Sequence, residues 1–152
     1  TLFYDGTMNG GTSPDELENA GFCILKLVYL LEKSGCRVRL DYSPFAGRSG
    51  NENAICALTL KEWRQPLDLL KLSFPLSSAA MFRRFGFLWI ETLPGIRNWG
   101  SSKGSHLSKS DLIQRLRETG RSIDNVYVID VPACKNADFD PAELAKNLEI
   151  KM

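Results

Sequence analysis

The spacing of apolar and polar positions divides the chain into alternating strand-like and helix-like stretches. Leu2-Phe3-Tyr4 is uninterrupted in its apolar character and predicts a short strand buried on both faces, hence central in a sheet. Ser13-Pro14-Asp15-Glu16 then predicts a helix start: a hydroxyl cap, proline at the first helical position, and a glutamate placed to close a capping box. Leu17, Ala20, Phe22, Ile24, Leu27, Val28 and Leu31 largely follow helical spacing, and Gly35 supplies a left-handed stop. Arg37 to Tyr42 alternates as a half-buried strand does, Ser43 to Asn51 is rich in turn formers and reads as a loop, and Ala54 to Trp63 reads as a third strand. The loop between these strands is too short for a crossover helix, so the two should pair antiparallel.

Beyond that point helices dominate. Gln65-Pro66-Leu67-Asp68 opens a helical stretch through Leu69, Leu70 and Leu72 that Phe74-Pro75 should break. A further helix from Ser77 or Ser78 to about Thr92 carries Met81, Phe82, Phe85, Leu88, Trp89 and Leu93 on a broad apolar face. Residues 96–106, rich in glycine and serine, form an expected exposed connection in which Trp99 is the side chain suited to meet a partner. Ser108 or Ser110 caps a helix over Asp111 to Thr119 that stops at Gly120. Asn125 to Val131 predicts a second central parallel strand, and Asp140-Pro141 starts a last helix. The succession predicts a three-layer, Rossmann-like α/β domain spanning 1–152, its sheet mixed and mostly parallel with one antiparallel strand. A chain that opens directly on a strand, with no initiator methionine, is expected to be a piece of a longer protein.

Composition narrows the functional classes. Apolar residues form 43% and charged residues 24% of the chain, as in ordinary globular proteins. The 19 basic and 18 acidic residues leave a net charge of +1, which gives no electrostatic footprint for nucleic acid or an anionic membrane. No apolar run approaches the length of a membrane span. Cys23, Cys36, Cys56 and Cys134 are widely separated, without the paired spacing of zinc or dithiol motifs, and are expected to be buried free thiols in a reducing cytoplasm.

Candidate chemistry concentrates in the first loop. Asp5-Gly6-Thr7 resembles the strand end of haloacid dehalogenase-type phosphatases, but the nucleophile's position two residues earlier is Phe3, which cannot form an aspartyl intermediate. His106, the single histidine, lies in the Gly/Ser connection and is expected to be solvated. Asp5, Thr7 and Asn9 place oxygen-bearing side chains at alternate positions of a loop, which lets them converge on one hard cation such as Mg²⁺. This spacing resembles the metal-ion-dependent adhesion site of von Willebrand factor A domains, with Thr7 and Asn9 in place of two serines, and the element order resembles those domains over most of the chain. The resemblance implies that Asp130, at the end of the later strand, adds a further acidic group. The blocks Lys33 to Leu40, Gln65 to Leu69 and Met81 to Phe87 resemble an uncharacterised family of such domains in larger phage-associated bacterial proteins. That implies a fold and a context but no activity.

The resulting expectation is a non-enzymatic interaction module that meets a protein partner, or other domains of a longer chain, through loops at the carboxyl edge of the sheet. Its metal site would be degenerate or absent, with Mg²⁺ the ion the loop could take. The alternative is a Mg²⁺-dependent enzyme acting on phosphoryl groups, with Asp5 and Asp130 as ligands and Thr7 assisting.

Overall fold

A computed structural model describes residues 1–7, 11–49, 52–92, 107–121 and 124–150. Strand β1 (Leu2–Asp5) lies between β2 (Leu40–Ser49) and β4 (Tyr127–Asp130) and is parallel to both, while β3 (Glu52–Lys61) pairs antiparallel with β2. The order β3-β2-β1-β4 is the expected mixed, mostly parallel sheet. β4 is parallel as predicted but occupies the edge rather than a central position. Its partial exposure, in contrast to fully buried β1, follows from having one neighbour among the described strands.

Helix α1 (Pro14–Lys33) follows the sequence pattern closely. Ser13 and Glu16 form the reciprocal capping box, and Gly35 takes a φ of +93° just beyond the last turn. Leu2, Tyr4, Leu40, Tyr42 and Ile129 share a core with α1, α2 (Leu69–Ser77), α5 (Val131–Asn136) and α6 (Pro141–Asn147). Alternation sends Phe3 to the opposite face, where it packs with Leu112 and Leu116 of α4 (Lys109–Glu118). Helices therefore cover both faces of the sheet, giving three layers.

Several boundaries depart from the pattern, each for a physical reason. β2 begins three residues later than Arg37 and runs through the stretch from Ser43 that reads as a loop. A register shift between Tyr42 and Phe45 inserts one extra residue there, and Pro44 is tolerated because a bulge does not require its amide. α2 starts at Leu69, capped by Asp68, and Pro75 lies inside it instead of ending it. The helix is so short that proline removes one backbone bond near its end, while Leu72 and Leu76 are buried and hold it to the core. The expected long helix after Ser78 is a six-residue π-helical segment, Met81–Gly86, continuing into α3 (Phe87–Glu91). The wider turn shifts the apolar face: Met81 and Trp89 pack against the core, whereas Phe85 and Leu88 are exposed. Leu93 lies outside the described residues. The helix α5 was not evident in the sequence.

Candidate functional site at the carboxyl edge of the sheet

The parallel registers bring three chain segments together at one edge. Asp5, the last residue of β1, is in register with Ser43 on one side and Asp130 on the other. Beyond Asp5 the backbone crosses closely over β2: the Gly6 amide donates to the Ser43 carbonyl at 2.9 Å, and a Cβ at Gly6 would lie 2.4 Å from Tyr42 Cε2. Any side chain there would require the buried Tyr42 ring to move. The Ser43 hydroxyl, itself buried, donates to the Phe45 carbonyl at 2.7 Å.

Both edge carboxylates accept hydrogen bonds from their own loops. Asp5 Oδ1 accepts from the Thr7 amide at 3.0 Å, an Asx-type turn inside a buried loop. Asp130 Oδ1 accepts from the Ala133 amide at 2.7 Å and so caps α5. Asp5 and Asp130 are register neighbours, and the sequence does not reveal that Asp130 is a helix cap, because Val131-Pro132 resembles a continuing strand before a break.

Beneath this edge lie buried hydroxyls that the sequence does not disclose. Tyr4 and Tyr42 have ring centroids 5.5 Å apart, and the Tyr4 hydroxyl is buried without a hydrogen-bond partner among the described residues. Burial, with added repulsion from Tyr42, Cys134, Asp5 and Asp130, pushes the Tyr4 phenol well above its usual range, so it stays protonated. Thr7 is likewise buried, and its Oγ1 has no partner among the described residues. Alternating positions in β1 were informative about burial, yet gave no sign that the Tyr4 hydroxyl would be enclosed.

A hard cation would find suitable chemistry in Asp5, Thr7 and Asp130, since carboxylate and hydroxyl oxygens are the donors Mg²⁺ takes. The unpartnered Thr7 oxygen fits such an ion. The number of donors fits less well: among the described residues, no three His, Cys, Asp or Glu side chains gather where they could hold one ion. Asn9, the third residue of the predicted loop set, and Trp99, the predicted partner contact, lie outside the described residues, as does His106.

The thiols divide. Cys23, Cys56 and Cys134 are buried, but Cys36 is exposed, contrary to the expectation of four buried cysteines. It follows Gly35 in the turn that leaves α1, where the chain is still at the surface. Among the described residues no helix is long and apolar enough to cross a membrane.

Fold and edge together define an open-sheet α/β domain with two acidic strand ends side by side at the carboxyl edge. The chain belongs to a family described as a domain of unknown function (DUF7192), whose model matches residues 1–149. No curated protein and no solved structure matches it.

Proposed function

We propose that the chain is a von Willebrand A-like interaction module, at home in a phage-associated bacterial protein, that binds a protein partner through the loops at the carboxyl edge of its sheet. The observation that carries this reading is the use of the edge carboxylates: Asp5 and Asp130, in register on neighbouring strands, each hold a backbone amide of the loop that follows. Such bonds fix the shape of a loop surface, which is what a recognition edge needs. Free thiols at all four cysteines suit a cytoplasmic setting.

The test compares proteins captured by the wild-type chain with those captured by Asp5→Ala and Trp99→Ala. A partner retained by wild type and lost with either variant supports the edge as the interface. Equal retention by all three removes it.

The buried, unpartnered Thr7 hydroxyl favours a second reading, in which Asp5, Thr7, Asn9 and Asp130 hold Mg²⁺, as a bridge to the partner or in phosphoryl chemistry. Calorimetric titration with Mg²⁺ and Mn²⁺ separates these possibilities from the first. Binding lost in Asp5→Ala supports a metal site, and the absence of heat at millimolar metal ends it.

A further inference from the structure

The outer face of α1 carries an apolar stripe unrelated to the carboxyl edge. Phe22 and Tyr29 project from the helix and are 42% and 46% exposed. Beside them α2 adds Leu69, Phe74 and Leu70, the last 88% exposed, and a groove between the helices is walled by Phe22, Leu25, Lys26, Tyr29, Leu69 and Leu70. Scattered exposed leucines need no explanation, but a contiguous apolar surface of two helices does.

The order of residues along α1 points to the occupant. Phe22 and Tyr29 stand at equal distances either side of the midpoint between Leu25 and Lys26. Glu18 and Lys33, both exposed and opposite in charge, also stand at equal distances from that midpoint. At 3.6 residues per turn the four fall within about 60° of one face of the helix. A two-fold axis through the midpoint therefore sets Phe22 of each copy against Tyr29 of the other and Glu18 against Lys33, the reciprocal pairing of an isologous interface. The same axis places both copies of α2 on one side of the paired α1 helices, where Leu70 and Phe74 extend the contact.

We infer that the chain forms a two-fold symmetric homodimer through antiparallel packing of α1 against α1 of a second copy, with Phe22 against Tyr29 and Glu18 against Lys33. Lys26, beside the axis, lays its methylene stem along the partner and keeps its ammonium at the rim. This inference is independent of the edge proposed above for a protein partner, and the two fail separately.

Sedimentation equilibrium of the chain tests it. At about 100 µM a complex with a micromolar dissociation constant is mostly assembled, so a dimer is expected. Glu18→Lys or Lys33→Glu alone should weaken association about 10-fold, because each sets two like-charged pairs across the axis, and combining them should restore it to within about threefold. Phe22→Asp should weaken it about 100-fold or more. Far-ultraviolet circular dichroism shows whether each variant keeps its fold, and the charge variants, being at exposed sites, keep the test valid if Phe22→Asp does not fold. A monomer at about 100 µM, or a dimer in which the paired charge exchange does not rescue the single ones, overturns the inference.

Discussion

Lys61 Nζ lies 2.6 Å from Glu32 Oε1, joining the end of β3 to the last turns of α1, and the lysine side chain is only 2% exposed. The ammonium also donates to the carbonyls of Val38 at 2.9 Å and Glu62 at 3.3 Å, so its charge is buried with its donors used. A register shift opposite Leu40 and Asp41 explains how a lysine reaches the helix-facing side of the sheet. One extra residue at Leu60 allows Leu60 and Lys61 both to turn to the helix-covered face that holds the main core.

Removing one partner of this pair leaves the other poorly compensated. Lys61→Met should cost about 3 kcal/mol in urea unfolding, the lower end of the range for a buried pair because Glu32 is partly solvated. Replacing both residues, as Lys61→Met with Glu32→Leu, should recover most of that loss. A double variant no more stable than the single one would show that the pair is not the source.

The same pair predicts a pH dependence. Burial pushes the Glu32 carboxyl up, but the hydrogen bonds from Lys61 and the Val38 amide outweigh it and hold the group below its ordinary value of 4.5. Its folded value is therefore lower than its unfolded one, so its stabilising contribution is full above the ordinary value and is lost as pH falls through the folded value. Urea midpoints measured from neutrality down into the acid range should fall less steeply for Glu32→Gln than for wild type.

Gly21 sets the approach of α1 to α2. A Cβ there would lie 2.5 Å from the Leu76 carbonyl oxygen and 2.8 Å from Ser77 Cα, both backbone atoms that cannot rotate away. Gly21→Ala should destabilise the fold by about 2–3 kcal/mol through overpacking, although alanine favours an isolated helix by about 1 kcal/mol. Thermal unfolding would register the net effect, and a rise in midpoint would contradict the close packing.

Asp41 anchors a polar cluster on the other sheet face. Its Oδ1 accepts from Arg39 Nε at 3.2 Å and from the Thr59 hydroxyl at 2.8 Å, and Arg121 lies 2.9 Å from Oδ2. Arg121 also donates to the Ala57 carbonyl, so it ties the end of α4 to two strands. Arg121→Ala should cost about 1–3 kcal/mol and speed amide exchange in α4 more than in α1. Uniform exchange rates across both helices would argue against a local tie.

Native thiol labelling should modify Cys36 and spare the other three. Cys56 is buried and its thiol is pushed up to about 11, while Cys134 is raised well beyond the range in which a thiolate forms. Mass spectrometry after brief exposure to iodoacetamide near neutral pH should find one adduct, on Cys36. An adduct on Cys23, Cys56 or Cys134 at a similar rate would mean that the helical layer opens readily.

Much of the fold is legible in the chain because local signals agree there. The Ser13 to Glu16 cap, the apolar spacing of α1 and the Gly35 stop all specify one helix, and the structure keeps it. Legibility fails where tertiary packing decides. Pro75 reads as a breaker but sits in a helix held by Leu72 and Leu76, and Pro44 reads as a loop residue but sits at a bulge. At the carboxyl edge the sequence picks out Asp5, Thr7 and Asp130, whose neighbourhood the strand registers define. It does not disclose the capping role of Asp130 or the enclosed hydroxyls of Tyr4 and Thr7, since both depend on contacts between distant segments.

The position of β1 between β2 and β4 also governs the order in which the chain can fold. β2 and β3 are neighbours in sequence and can pair as soon as both exist, but Leu2 takes Tyr127 as its partner, near the opposite end of the chain. Closing so long a loop is slow compared with forming a hairpin or a helix. During synthesis β1 can dock on β2 early, yet its other side must wait for the last strand. Completion of the sheet, and with it the meeting of Asp5 and Asp130, is then a late step of folding.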